Sequence, residues 1–300
     1  MPPSSEPYPF RCGGAVAGDD LDHVVARRLD LAHVRFPRAL DANPFVTYRE
    51  LLFAYHVARA GGLSDDDYIA LVRQLDERVA AVDGRGFTTT PFTWQPGIRA
   101  FVKDETGNVA GSHKGRHLMG VALLLEVEER LGRICASARA DRPLAIASCG
   151  NAALAAAVIA RAADRPLEVY VPDVANAKVV AKLRELGARV TVCLRDPTVL
   201  GDPSVHRFRQ AIAKGALPFS CQGSDNGLAV EGGQTLGYEI AAALDAPIDR
   251  IFVQVGGGAL ASACVTALAE AVELGALARM PRIHAVQTRG AAPLARAYAC

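Results

Sequence analysis

From residue 98 onward, short apolar runs alternate with longer segments whose apolar residues recur at helical spacing. Short runs bounded by turn residues are typical of buried strands, and the longer pattern is typical of helices. The alternation predicts βαβ units and a largely parallel sheet, in which ligands bind beyond the carboxyl ends of the strands. The predicted strands are 98–104, 144–148, 167–172, 188–193, 218–220, 250–255 and 282–287, and the predicted helices are 114–131, 151–163, 176–186, 204–214, 232–243 and 259–275.

The first 90 residues follow a different pattern. Apolar residues within 43–59 form a helical stripe, and Ser64 followed by three aspartates is typical of the start of a helix that continues to about Val82. Residues 83–97 carry glycines and prolines and are predicted to form a linker. The predicted division is a helical N-terminal extension (1–90), a larger domain (91–142 and 216–300) and a smaller domain (143–215).

Composition and charge narrow the class of protein. Half of the residues are hydrophobic and 22% are charged, which excludes a disordered chain, and a net charge of +1 gives no reason to expect nucleic acid or membrane as a partner. Seven cysteines without a CxxC pair favour reduced thiols and a cytoplasmic location. The uncharged stretches 143–160 and 251–269 are each broken by polar or glycine residues, so neither is expected to span a membrane.

The strand predicted at 250–255 continues directly into GlyGlyGlyAlaLeu (256–260), which opens the next helix. Backbone N–H groups at such a turn, together with the positive end of the helix dipole, suit a phosphate. A tight turn that only allows close packing fits the same residues equally well. The run is neither a Walker loop nor GxGxxG, so the dinucleotide fingerprint of an oxidoreductase is missing.

SerCysGlyAsn (148–151) has the same position, between a predicted strand and an alanine-rich helix. Ser148 and Asn151 offer hydroxyl and amide hydrogen bonds, and the N–H groups of a helix start could hold a carboxylate or a ring oxygen. Helix capping by either side chain is the open alternative. Cys149 has no histidine partner nearby in sequence and is expected to be a buried, inert thiol.

Lys114 lies in GlySerHisLysGlyArg (111–116), where a polar loop meets the start of a predicted helix. His113, Arg116 and the helix N-terminus make this place electropositive, which favours the free amine that a Schiff base needs. Most lysines are solvated surface residues, and Lys114 alone fits that description as well.

Taken in order, these three turns resemble those of the fold-type-II pyridoxal-phosphate enzymes, the tryptophan-synthase-β-like group. The group includes threonine synthase, threonine and serine dehydratases, serine racemase and cysteine synthase. The resemblance extends from about Thr90 to Leu294. The supporting segments are LysAspGlu (103–105), 182–190, 231–240 and AlaAlaProLeu (291–294).

The resemblance implies an α/β fold of two parallel-sheet, three-layer domains, with pyridoxal 5′-phosphate as cofactor and a small amino acid as substrate. Lys114 would hold the cofactor as an internal aldimine and then act as the base at the substrate Cα, and Asn151 would hydrogen-bond the ring oxygen. The residues implied to bind the phosphate through their backbone are Gly256, Gly257, Gly258, Ala259 and Leu260. The residues implied to lie along the substrate carboxylate are Ser148, Cys149 and Gly150.

Several positions depart from the pattern of the group. Ala259 replaces the fourth glycine of the phosphate loop, and His113 precedes the lysine as in the tryptophan-synthase branch. Cys149 stands where the racemase branch has a serine acid/base. Gln287 stands where that branch has an acidic cation ligand, so no metal site is expected. Cys300 comes too early to be the group's pyridine-nitrogen partner, so the chain is expected to be truncated at its C-terminus.

The activity that the resemblance favours is β-elimination from a hydroxy amino acid, as in threonine and serine dehydratases. A threonine-synthase-like β/γ-replacement enzyme and a non-catalytic cofactor-binding relative are the alternatives. A homodimer is an open expectation that is carried by analogy alone.

Overall fold

The computed structural model describes residues 8–14, 16, 23–37, 41–195, 198, 200–243 and 246–299. The helices are α1 (Pro44–Thr47), α2 (Phe53–Ala60), α3 (Asp65–Asp83), α4 (Lys114–Arg130), α5 (Asn151–Ala162), α6 (Ala177–Glu185), α7 (Pro203–Ala213), α8 (Ala229–Ala242), α9 (Ala259–Glu273) and α10 (Pro293–Ala299). The strands are β1 (Phe92–Gln95), β2 (Ala100–Lys103), β3 (Leu144–Ala147), β4 (Leu167–Pro172), β5 (Arg189–Cys193), β6 (Leu217–Pro218), β7 (Arg250–Gln254) and β8 (Arg282–Val286). Across these ranges, no helix combines the length and the apolarity needed to cross a membrane.

A four-stranded parallel sheet has the order β5-β4-β3-β6. Successive side chains of a strand point to opposite faces, and on β3 this places Leu144 and Ile146 in the core formed with α5. Ala145 and Ala147 face the other way and pack with Phe208 of α7. Helices therefore cover both faces of this sheet, which gives three layers.

The helical stripe predicted over 43–59 is not one helix. It consists of α1, a 3₁₀ turn at Arg49–Leu51, and α2. Leu52 has extended backbone (φ −112°, ψ 138°), and the Phe53 N–H donates to the Glu231 carboxylate of α8 at 2.5 Å. A tertiary partner for that N–H group makes the break possible, which periodicity within the segment cannot reveal.

The helix predicted from Ser64 is present as α3. The Ser64 Oγ accepts from the Asp67 N–H at 3.0 Å, and the Asp67 carboxylate accepts from the Ser64 N–H at 2.8 Å. This capping box satisfies N–H groups that the first turn of a helix leaves without partners. Gly84 then ends the helix in the left-handed region (φ 81°).

The predicted linker 83–97 contains a strand that the sequence pattern did not show. β1 pairs with β2 in an antiparallel hairpin, with Phe92 opposite Lys103. The predicted strand 98–104 begins two residues later than expected because Ile98 belongs to the turn and its N–H donates to the Gln95 carbonyl at 3.2 Å.

A second parallel pair, β7 and β8, has Ile251 opposite Ile283. The helices α8 and α9 pack against it, and α8 also packs against α4. At the junction of α4 and α8, a Cβ on Gly232 would lie 2.0 Å from the Arg116 carbonyl oxygen. Only glycine allows two helix backbones to approach this closely, so Gly232 fixes α8 against the helix that begins at Lys114.

Candidate active site

Lys114 is the first residue of α4 and is half-buried. Ala110 and Gly111 just before it have left-handed backbone (φ 54° and 69°), which turns the chain into the helix. The Lys114 N–H donates to the Ser112 Oγ at 3.3 Å, and residues 115–125 behind it are all buried. The backbone of Lys114 is therefore held from both directions along the chain, by Ser112 before it and by the buried part of α4 after it.

Two histidines and a cysteine lie within electrostatic reach of the Lys114 amine. Burial, together with the charge of Lys114, lowers the pKa of His113 to about 4. Burial, with His113 and Lys114 as further causes, lowers the pKa of His117 to about 3. Burial raises the pKa of the Cys221 thiol to about 11, and the charge of Lys114 opposes part of that rise. At neutral pH these three neighbours of Lys114 are uncharged.

A buried ion network lies under the first turn of α4. Arg116 is 0% exposed and donates to Glu105 at 2.8 Å and to Glu239 of α8 at 2.6 Å, while Lys103 also pairs with Glu239. Burial alone would raise the pKa of Glu105, yet Arg116 holds it below its ordinary value. Sequence reasoning treated Arg116 only as a nearby charge. The sequence did contain its partners, since the supporting segments 103–105 and 231–240 include Lys103, Glu105 and Glu239.

SerCysGlyAsn (148–151) leaves the sheet at the end of β3. The Ser148 N–H donates to the Tyr170 carbonyl at 3.2 Å, and the Gly150 N–H donates to the Ser148 Oγ at 3.4 Å. Gly150 is the N-cap of α5, so no side chain of this turn caps the helix, and Asn151 is exposed at its first position. The expectation of a buried Cys149 is wrong: the thiol is exposed because the chain has left the sheet at this point.

The glycine turn follows β7 and opens α9. Gly258 is the N-cap with a left-handed backbone (φ 89°), and Gly256 and Gly257 are exposed. The first N–H groups of a helix have no partner within it, and the dipole of α9 makes this end positive. A Cβ on Gly256 or Gly258 would meet no atom within 4 Å, so the space beside the turn is open. Ala259, which replaces a glycine, is buried, with 8% of its surface exposed.

One short segment, residues 220–222, lies near both the lysine and the glycine turn. β6 pairs with β3 in parallel, so the chain after β6 emerges at the same sheet edge as the turn at 148–151. Cys221 senses the charge of Lys114, and the Gln222 Oε1 would lie 3.2 Å from a Cβ on Gly257. Sequence reasoning missed Cys221 and Gln222. Both residues directly follow the predicted strand at 218–220, and residues in that position of a parallel sheet commonly face a ligand.

Gln287 has a structural use in this fold. Its Nε2 donates to the Val255 carbonyl at 3.3 Å, and its Oε1 accepts from the N–H groups of Leu294 and Ala295 at 3.1 and 3.2 Å. The side chain thereby connects the end of β7 to the first turn of α10. Cys300 lies outside the described residues.

The donors at these turns fit pyridoxal 5′-phosphate. The chain offers a primary amine at one helix start and an open glycine turn at another, where a phosphate would meet backbone N–H groups. An amide and a hydroxyl follow β3 at a third helix start. A parallel-sheet α/β fold with this set of donors defines the class of pyridoxal-phosphate enzymes.

Comparison with known families gives the same class. The sequence profile of the family described as "Pyridoxal-phosphate dependent enzyme" matches residues 86–300. The chain belongs to this family, which confirms the cofactor expected from the sequence.

Two curated relatives show how much of such a protein is present. The mouse protein named "Serine dehydratase-like" is 30% identical over 226 residues, which cover 72% of this chain and 61% of that protein. Threonine synthase from Methanosarcina acetivorans is 30% identical over 205 residues, which cover 66% of this chain and 45% of that protein. The chain thus spans about three-fifths of the mouse relative and less than half of the archaeal one.

Two solved structures share the fold. The L-serine ammonia-lyase of Rhizomucor miehei matches with a TM-score of 0.54 and 21% identity, over 71% of this chain and 63% of that one. Maize serine racemase matches with a TM-score of 0.56 and 20% identity, over 77% and 64%. The likeness confirms the α/β fold of fold-type-II pyridoxal-phosphate enzymes expected from the sequence.

Proposed function

We propose that this chain is a pyridoxal-phosphate-dependent lyase that eliminates the β-hydroxyl group of a small amino acid such as serine or threonine. The observation that carries the proposal is that two consecutive residues relate the lysine to the glycine turn: the charge of Lys114 acts on the pKa of Cys221, and the Gln222 side chain lies beside Gly257. The relatives support the choice of substrate, since those described above include a serine dehydratase-like protein and an L-serine ammonia-lyase.

Lys114 is the residue proposed to attach the cofactor and to move the Cα proton of the substrate. When bound, the cofactor supplies an electron sink that makes that proton removable near neutral pH. Burial lowers the pKa of His113 to about 4 and that of His117 to about 3, so both are weak bases, and it keeps the Cys221 thiol protonated at neutral pH. Lys114 is therefore the group among these neighbours that we assign to the proton transfer.

The other turns are proposed to orient the cofactor and the substrate. Residues 256–260 would hold the phosphate through backbone N–H groups at the positive end of α9. Asn151 would donate to the ring oxygen. The residues proposed along the substrate carboxylate are Ser148, Cys149 and Gly150. In the overall reaction the Cα–H and Cβ–O bonds break, water leaves, and hydrolysis of the released enamine gives a 2-oxo acid and ammonia.

Borohydride reduction followed by peptide mass mapping tests the attachment site. The chain has five lysines, so the assignment is unambiguous, and we expect the adduct on Lys114. An adduct on Lys103, Lys178, Lys182 or Lys214 would overturn the assignment.

Release of 2-oxo acid from serine and threonine tests the reaction. Lys114→Ala should abolish release, and Lys178→Ala should leave it unchanged because Lys178 is exposed on α6. An adduct on Lys114 without 2-oxo acid from either substrate would contradict the lyase. It would favour the replacement enzyme or the non-catalytic relative.

Gly257→Asp tests the phosphate position. The new carboxylate would repel a phosphate, while its Cβ would meet only the end of the flexible Gln222 side chain, so the fold should tolerate it. Gly97→Asp is the control, since it adds the same charge in the turn between β1 and β2, where its Cβ would enter open space. Cofactor affinity is measured by absorbance titration, and equal affinity in the two variants would place the phosphate elsewhere.

Three further proposals concern the organisation of the protein. The division into 1–90, 91–142 with 216–300, and 143–215 stays a prediction, which limited proteolysis can check. A homodimer and a cytoplasmic location stay predictions as well. Sedimentation of the purified chain tests the homodimer, and fractionation of cells tests the location.

A further inference from the structure

A segment of the N-terminal extension without regular secondary structure lies against α8, α9 and residues 223–227. In this strap (residues 23–31), His23, Val25, Arg27 and Leu29 are half-buried, and the residues between them are exposed. A Cβ on Gly227 would lie 1.8 Å from the Val25 carbonyl oxygen, and one on Gly223 would lie 3.4 Å from the Val24 side chain. The strap therefore rests directly on the segment that begins at Gln222.

Arg27 joins the strap to two helices at once. Its side chain is 5% exposed, and its Nε lies 2.7 Å from the Glu231 carboxylate of α8. The two terminal nitrogens donate to Glu270 of α9 at 2.9 and 2.8 Å, and one of them also donates to Gln234 at 2.6 Å and Tyr238 at 2.8 Å on α8. A planar guanidinium can hold several acceptors in fixed directions, which a single hydrogen bond cannot do.

The two anchored places flank the glycine turn. Glu270 lies on the helix that begins at Ala259, so it is joined to the turn by about three rigid helical turns, or roughly 16 Å. Gly223 and Gly227 follow Gln222, whose Oε1 would lie 3.2 Å from a Cβ on Gly257. The strap thus bridges the helix behind the turn and the segment beside it.

We propose that Arg27 is a positioning residue that sets the orientation of the glycine turn relative to Gln222, and that cofactor affinity depends on it. This inference rests on the proposed phosphate position. It assigns to the N-terminal extension a role in the site although Arg27 itself does not touch the turn. Loss of Arg27 would leave two neighbouring carboxylates without their shared cation and release α9 from the strap.

The experiment compares Arg27→Met with Arg49→Met. Arg49 belongs to the same extension, and its side chain donates to Asp65 at 2.6 and 2.8 Å and to the Val46 carbonyl at 2.9 Å, all within that extension. We expect Arg27→Met to weaken cofactor binding by a factor of about ten, and Arg49→Met to change it by less than about twofold. Arg27→Lys keeps the charge but not the planar fork, so it should restore part of the affinity.

Hydrogen exchange of the cofactor-free chain separates this inference from the proposed function. We expect exchange in residues 258–264 of Arg27→Met to increase by more than the lower global stability of the variant increases it elsewhere in the core, whether or not the wild type binds the cofactor. Gly227→Ala displaces the strap without touching Arg27, and it should have the same effect even if Arg27→Met does not fold. If both variants fold and show unchanged exchange and affinity, the strap is only a structural anchor and the proposal is overturned. If Arg27→Met does not fold, the same result in Gly227→Ala alone overturns it.

Discussion

In the four-stranded region (residues 144–218), α5 covers one face of the sheet and α7 the other, and Ile146 is 1% exposed. In the two-stranded region (residues 229–286), the core formed with α8 and α9 receives Ile251 and Ile283. On the other face Phe252 is 67% exposed and stacks on the His284 ring, with centroids 4.6 Å apart.

The difference shows what an apolar strand does and does not specify. β3 is apolar throughout, and β7 has three consecutive apolar residues between Arg250 and Gln254; such runs are typical of strands covered on two faces. Of these two strands, β3 is covered on both faces, whereas β7 buries Val253 and exposes Phe252. The proposed lysine and the proposed phosphate turn therefore lie in surroundings of unequal packing, joined through α4 and α8.

The largest effect is expected from breaking the junction between the two regions. Arg116→Met removes the cation that Glu105 and Glu239 share in the core, and it should lower the free energy of unfolding by about 3–5 kcal/mol. Arg78→Met is the control, because its pair with Glu126 is 43% exposed at the arginine and should contribute about 0–1 kcal/mol. Urea denaturation measures both, and equal losses would show that the buried network does not stabilise the junction.

The next effect tests the unequal cover directly. Ile146→Ala should cost about 3 kcal/mol because it opens a cavity between two covered faces. Phe252→Ala removes a larger side chain from an exposed face and should change stability by only about 0.5 kcal/mol. Similar losses for the two variants in denaturation would mean that the outer face of β7 is covered in solution.

A third effect is specific to the surroundings of Lys114. The pKa of His117 is lowered from 6.5 to about 3, so its contribution to stability is present above pH 6.5 and is lost as the pH falls toward 3. Between pH 7.5 and 5 the wild type should therefore lose about 2 kcal/mol relative to His117→Asn.

Glu231 acts in the opposite direction in the same pH range. Burial raises the pKa of Glu231 to about 7, and Glu270 adds to this rise, while Arg27 and the Phe53 N–H oppose it. The contribution of Glu231 to folding stability is therefore lost as the pH increases through 7. The wild-type curve alone would mix the two effects. The difference between wild type and His117→Asn isolates the histidine, and a pH-independent difference would contradict its low pKa.

Local patterns predicted most elements after residue 114, because each strand and helix there buries a face with its own period. The break at Leu52 and the strand β1 were missed, because a contact with Glu231 and pairing with β2 determine them. Such contacts join residues that are far apart in sequence, and no window of the chain contains both partners.

The same reason limits prediction of the candidate site. Lys114, Asn151 and the glycine turn stand at junctions of strand and helix, and those junctions are visible in the sequence. The Gln222 side chain lies beside Gly257, 35 positions further along the chain, and Arg27 meets Glu270 across 243 positions. Residue types at junctions could be predicted, but the side chains that orient those junctions could not.

The smallest effect concerns the backbone of the glycine turn. Gly258 has a φ of 89°, where a side chain is strained, so Gly258→Ala should lower the free energy of unfolding by about 1 kcal/mol even though its Cβ would meet no neighbour. Gly256→Ala, whose Cβ would also enter open space without that φ, should cost less than about 0.5 kcal/mol. Since neither side chain would clash, the difference between the two denaturation curves measures backbone strain alone. Equal curves would mean that residue 258 changes in solution to a backbone conformation that any residue can adopt. The exposed face of the two-stranded region would leave room for that change.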